Sequence, residues 1–185
     1  LQEARLELAL HQIKPHFLQN ALMSIKVLCR TRPKEAEQAV YDFAVFLRGN
    51  MNALESAEMI PFREECKTIE RYLHIEKIRF GERLQVQWDL QEEKFRIPPL
   101  TIQPLVENAV CHGICQKMEG GTVQIRSFRK NGEICVQILD DGAGFDTEKL
   151  KDADGIAIRN LKLRLKEFLN ADLEIESRKG EGCRQ

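Results

Sequence analysis

The chain has 185 residues, 43% of them apolar and 31% charged, with a formal net charge of −1. That length suits one large domain or two small ones, and the apolar share supports a packed core and argues against disorder. The near-neutral balance removes the electrostatic footprint of direct nucleic-acid binding, and no apolar run reaches the roughly 18 residues of a membrane span.

Leu6, Leu10, Ile13, Phe17, Ala21, Ile25 and Leu28 recur at steps of three and four, which predicts an amphipathic helix. Gln12, His16 and Asn20 form a polar stripe along it. Pro15 has no N–H, so the His11 carbonyl loses its helical partner, and a local kink exposes the His16 ring. A neutral imidazole is a competent nucleophile toward a γ-phosphate, which makes His16 the candidate phosphoacceptor. Taken alone, it reads more simply as a polar residue of a bundle helix. His11 faces another side, and His74 lacks comparable surroundings. Pro33 opens a second helix with Ala36, Val40, Phe43 and Leu47 on one stripe. The two helices form an antiparallel hairpin, whose small buried area predicts pairing with a second copy as a four-helix bundle.

A further helix follows Pro61, with Phe62, Cys66, Ile69, Leu73 and Phe80 on its apolar side and Gly81 at its end. Leu84, Val86 and Trp88 then alternate with Gln85, Gln87 and Asp89, the period of a strand. After Pro98-Pro99 comes a helix with Glu107, Asn108 and His112 along one side, closed by Gly113. Strands at 122–129 and 133–140 join through Asn131-Gly132, a tight-hairpin signal. Residues 145–154 are polar and aperiodic, so a mobile loop is expected. A helix over 156–168 and a strand over 173–177 follow. Residues 1–80 thus read as helical and 81–185 as an α/β sandwich, an α+β chain overall. The six cysteines form no Cys-x-x-Cys pair, which suits free thiols in a reducing compartment; Cys111, His112 and Cys115 do not make a zinc site.

No GxxxxGK[ST] loop is present, so a nucleotide pocket has to be assembled otherwise. Asp140 ends an apolar strand and is followed by Asp141-Gly142-Ala143-Gly144. An ionised carboxylate accepts hydrogen bonds and donates none, which suits the exocyclic amine of adenine and disfavours the carbonyl of guanine. Gly142 and Gly144 permit positive φ and the approach of a flat base. The amide oxygen of Asn108 suits magnesium, Glu107 is placed to orient water or take a proton, and His112 lies one turn beyond Asn108. Gly155 opens a helix whose free N–H groups bind phosphate, with Asn160 and Arg164 one turn apart to reach phosphate oxygens. Individually, each feature has a plainer reading: an ordinary turn, a solvated helix face, a glycine at a loop-to-helix join.

Taken jointly, LVENAVCHG, ILDDGAGF and GIAIRNLKLRL resemble the nucleotide-binding region of histidine kinases, whose ATPase superfamily also includes gyrase and the mismatch-repair ATPases. QIKPHFLQN resembles the acceptor motif of autolysin-regulator (LytS-type) sensor kinases. The likeness continues through Phe46–Arg48, Glu64-Glu65, YLHIEKIRF and IPPLTIQPLVENAVCHG. It implies a helical dimerisation and phosphoacceptor domain over 1–80 and a Bergerat-type ATP-binding domain over 81–185. It also implies ATP and Mg2+ as cofactors, with autophosphorylation of His16 and transfer to a response-regulator aspartate. By position, Asn108 would hold magnesium, Asp140 would read adenine, and Gly142, Gly144 and Gly155 would shape the base and lid contacts. Glu107 falls at the superfamily's catalytic glutamate. Members are usually membrane-anchored homodimers. The chain begins at Leu1 without a signal peptide, so it is expected to be the cytoplasmic portion of a bacterial inner-membrane sensor, anchored by segments outside this sequence.

Three departures stand against the pattern. Ala157 and Ile158 occupy the second Gly and Leu positions of the lid motif, Asp141 replaces a common Asn, and the late Gly-Thr appears as Gly182-Cys183 with no final strand expected. They leave open a catalytically weak pseudokinase acting as a dimeric nucleotide- or regulator-binding module, and, more remotely, a superfamily ATPase that uses water.

Overall fold

The computed structural model describes residues 15–55, 58–144, 153–178 and 182–184. The chain divides into two compact units, 1–58 with 66–81 and 59–65 with 82–185.

In the first unit, α1 (Pro15–Thr31) and α2 (Pro33–Glu55) are joined through Arg32 alone. Arg32 N–H still bonds to the Leu28 carbonyl at 2.8 Å, and Pro33, needing no N–H partner, starts α2. Phe17, near the start of α1, meets Phe46, late in α2, at a ring separation of 5.2 Å, so the helices run antiparallel. α1 buries Phe17, Ala21, Ile25 and Leu28, the stripe read from its spacing. Leu6, Leu10, His11, Gln12 and Ile13 lie outside the described residues.

On α2 the expected stripe is corrected. Ala36, Ala39, Asp42, Phe46 and Asn50 are buried, while Val40 is half exposed. The cause is a polar residue on the inner face: Asp42 accepts from Gln38 and pairs at 2.7 Å with His74 of α3 (Phe62–Phe80). Apolar spacing cannot register a carboxylate buried in this way.

In the second unit, β1 (Ile60–Pro61) pairs antiparallel with β3 (Arg96–Ile97). Phe62 stacks on Phe95 at 4.5 Å, fixing the first turn of α3 beside this ribbon. The main sheet has the order β2-β4-β5-β7-β6. Its strands are β2 (Leu84–Leu90), β4 (Gly121–Lys130), β5 (Glu133–Asp140), β6 (Glu176–Arg178) and β7 (Gly182–Arg184). β2 and β4 are parallel, which requires a crossover, and a helical run fills it. The β4–β5 turn has Asn131 at φ 53° and Gly132 at φ 88°, the left-handed pair a two-residue hairpin needs. Val123, Ile125 and Ser127 alternate inward on β4. Leu105, Val106, Val110 and Ile114 of the crossover and Ile158, Leu161 and Leu165 of α5 (Ala153–Leu169) are buried as well.

Two further expectations change. The strand placed at 173–177 starts at Glu176, because Asn170 at φ 50° closes α5 and its successor Ala171 still bonds back to Leu165. The strand expected to be lacking after Gly182 is present: Gly182–Arg184 lies between β5 and β6. Most of the expected loop at 145–154 lies outside the described residues; its last two positions, Ala153 and Asp154, belong to α5.

Candidate functional site

The helical run of the β2–β4 crossover consists of α4 (Gln103–Asn108), a wider π turn (Ala109–Gly113) and a 3-10 turn (Ile114–Gln116). Gly113 therefore does not close the helix, as the sequence suggested. Its φ of −88° continues the winding, and Ile114 N–H bonds back to the Ala109 carbonyl. The start of α4 has no side-chain cap of its own. Glu65 supplies one from α3: its Oε1 accepts from Ile102 N at 2.6 Å and Gln103 N at 3.0 Å. Burial pushes the Glu65 carboxyl up from 4.5 to about 7, against the lowering effect of these N–H bonds and of Arg164. Gln103 in turn donates its Nε2 to Glu107 Oε1 at 2.8 Å. Glu107 and Asn108 are half-buried and His112 is exposed.

Asp140 ends β5 and is 7% exposed. Its Oδ1 accepts the Gly142 N–H at 3.0 Å. Burial raises its carboxyl from 3.8 to about 6, opposed by that N–H, reinforced by the Asp141 charge and opposed again by Cys183 N–H. Both neighbouring glycines sit where a side chain would be crowded. A Cβ on Gly113 would lie 2.9 Å from Asp140 Cγ, and one on Gly142 would lie 2.6 Å from the Gly113 carbonyl oxygen. Ala143 N–H also bonds to that oxygen at 3.1 Å. The end of β5 and the π turn thus meet backbone to backbone. Gly142 serves close approach, whereas Gly144, at φ 59°, has the positive φ expected of it. Asp141 is turned away from Asp140: its Oδ1 accepts Thr122 N–H at 2.6 Å, tying β5 to the start of β4.

α5 opens at Ala153, two residues before the expected Gly155. Gly155 still falls within the first turn, where N–H groups lack helical partners. Ile158 is buried and Asn160 exposed. Arg164, the expected phosphate ligand, is placed elsewhere. It donates to the Pro99 carbonyl, lies 3.5 Å from Thr101 Oγ1, and interacts with the Glu65 charge. These contacts brace a segment in which Leu100 adopts an uncommon φ of 57°.

His16 is exposed on α1, with Asn20 Nδ2 at 3.0 Å from Nδ1 and 3.2 Å from Nε2. Phe17, next in sequence, is buried against Phe43, Phe46 and Tyr72, which fixes that turn of the helix. Sequence reasoning overlooked the partner of His74, Asp42, because 32 residues separate them.

The donors present fit a nucleotide and its metal. Asp140 offers a buried carboxylate acceptor, and Asn108 a half-buried amide oxygen. Among the described residues no group of three or more His, Cys, Asp or Glu is placed to hold a metal ion. Magnesium at Asn108 would take its remaining ligands from water and substrate phosphates, its usual coordination.

Residues 4–84 match the family model described as histidine kinase. The chain is 37% identical to YwpD of Bacillus subtilis over 186 residues, covering 95% of this chain and 67% of that protein. It is 31% identical to the sensor protein LytS of Bacillus cereus, covering 98% of this chain and 33% of LytS, so it spans about a third of that relative. The fold matches the histidine kinase domain of a blue-light-activated kinase from Erythrobacter litoralis at a TM-score of 0.53 and 15% identity, covering 92% of this chain and 90% of that one. The chain belongs to the histidine kinase family, LytS type.

Proposed function

We propose that the chain is the phosphoacceptor and ATP-binding portion of a two-component sensor kinase. The observation that carries this reading is the Asp140 carboxylate, held by Gly142 and pressed against Gly113 at the end of the Asn108 helical run. In this reading Asp140 accepts from the adenine amine. Asn108 contributes its amide oxygen to magnesium, which neutralises phosphate charge when bound. Glu107 orients the reacting groups, and the N–H groups of the α5 first turn, Gly155 among them, face phosphate. Gly144 lends backbone freedom beside the base. His112 and Asn160 remain candidate contacts at the rim, while Arg164 serves the site by bracing residues 99–101.

The bond from the γ-phosphorus to the β,γ-bridging oxygen breaks as a nitrogen of His16 attacks. ADP leaves, and the phosphoryl group passes next to an aspartate of a response-regulator protein. Asn20 holds the His16 ring through the attack. Two copies of the hairpin pair across exposed Leu22, Met23, Val27, Val40 and Tyr41, an apolar surface that water alone would cover at a cost. The stimulus reaches the chain through membrane-anchored segments of the whole protein, with this portion on the cytoplasmic side.

The test is incubation with γ-labelled ATP and magnesium. The wild-type chain should acquire an acid-labile, base-stable label, and His16→Gln should acquire none. A label that persists in His16→Gln removes His16 as acceptor.

A further inference from the structure

The α4 start carries more buried polar chemistry than a helix of six residues needs. Gln103 is 3% exposed and Glu65 2% exposed. Buried polar groups cost stability unless hydrogen bonds compensate, so their placement calls for a reason. Here Gln103 donates twice. Glu65 Oε1 accepts the backbone N–H of Ile102 and Gln103, and the Gln103 side chain donates its Nε2 to Glu107 Oε1. Arg164 braces the preceding segment through Pro99 and Thr101. An exposed i,i+4 Gln–Glu pair would be ordinary helix decoration. A part-buried one, whose Gln103 backbone is pinned by a buried carboxylate 38 residues away, limits the rotamers open to Glu107.

We infer that Gln103 is a positioning residue for Glu107, and that Glu65 holds Gln103 in place. The inference rests on the ATP-dependent reading above, because it assigns Glu107 work at the reacting phosphate. Gln103 touches no substrate: it fixes the direction in which the Glu107 carboxylate presents its second oxygen. Supporting residues of this kind typically change rates by about 10- to 100-fold when lost, with the fold intact.

The experiment measures autophosphorylation rate and ATP affinity separately in the full chain. Gln103→Leu keeps bulk and removes the donor. The rate should fall about tenfold or more while ATP affinity stays within about threefold. In a Glu107→Gln background, the same change should alter the residual rate by less than about twofold, since the group it positions has already lost its charge. Glu65→Gln keeps an oxygen for both N–H groups and should retain most of the rate, whereas Glu65→Ala should lose it. This pair decides the matter should Gln103→Leu not fold. An unchanged rate in Gln103→Leu, a loss confined to ATP affinity, or equal losses in both backgrounds overturns the inference while leaving the ATP reading in place. A wild-type chain that never labels overturns both.

Discussion

Gly113 and Gly142 face each other, yet replacing them should have opposite consequences. A methyl at Gly113 would overlap the Asp140 carboxylate, whose Cγ would be 2.9 Å away. That carboxylate is the end of a side chain and can turn aside. Turning breaks its bond to Gly142 N–H, costing about 1–3 kcal/mol when a buried partner is left unmade. Alanine in a helical conformation returns about 0.5–1 kcal/mol. Gly113→Ala should therefore lose no more than about 2.5 kcal/mol of stability, but its ATP affinity should drop by about tenfold or more, since 1.4 kcal/mol is a factor of ten. A methyl at Gly142 would instead lie 2.6 Å from the Gly113 carbonyl oxygen, which is main chain and cannot rotate away. Gly142→Ala must part the π turn from β5 and should cost about 3 kcal/mol or more, the upper range for overpacking. Urea denaturation followed by the single tryptophan, Trp88 of β2, reports this unit directly, and calorimetric titration gives the affinity. Wild-type ATP affinity in Gly113→Ala, or equal stability losses in the two variants, would refute the reasoning.

Glu65 should give the second unit a falling stability from acid to neutral pH. Its carboxyl titrates at about 7 when folded against 4.5 unfolded, so the folded state keeps a proton that the unfolded chain releases between those values. The full penalty above pH 7 is about 3 kcal/mol, and the difference between wild type and Glu65→Gln should shift by that order between pH 4.5 and 8; a difference independent of pH would contradict this. Asp140, raised to about 6, accepts from adenine more strongly once ionised, so ATP affinity should increase from pH 5 to 7. Asp140→Asn should bind weakly and without that slope; an equal slope in both proteins assigns it to another group. On the hairpin, Val27→Glu should turn a dimer into a monomer in sedimentation equilibrium, because Val27 is 59% exposed in the single chain. Wild-type chain that sediments as a monomer would remove the proposed pairing face.

The elements legible in the sequence were those whose cause is local. The α1 stripe, the Asn131-Gly132 turn and the alternation in β2 each depend on neighbours within a few residues, and the structure follows them. His16 and the Asp140 turn stood out because motif spacing marks them; the structure leaves His16 exposed beside Asn20 and buries Asp140 against Gly113. What stayed hidden depends on distant partners. Asp42 broke the apolar stripe of α2 because His74 compensates its burial. The start of α4 carries no local cap, since Glu65 provides it from α3. Arg164 looked like a phosphate ligand because a sequence shows an arginine's charge but not the carbonyl it already serves. Gly113 looked like a helix stop because terminal position is the commonest reason for such a glycine, whereas here the reason is contact with Asp140.

The wide turn at Ala109–Gly113 makes this region sensitive to length as well as to composition. Ordinary α winding advances 100° per residue, and the wide turn absorbs one surplus residue, so whatever follows it is rotated back by about that angle. Excising one residue there would let the backbone resume ordinary winding while preserving Glu107, Asn108 and Asp140. Gly113 would then swing out of its seat against β5, and a chain that kept all three side chains would lack the backbone contact that joins the turn to the strand end.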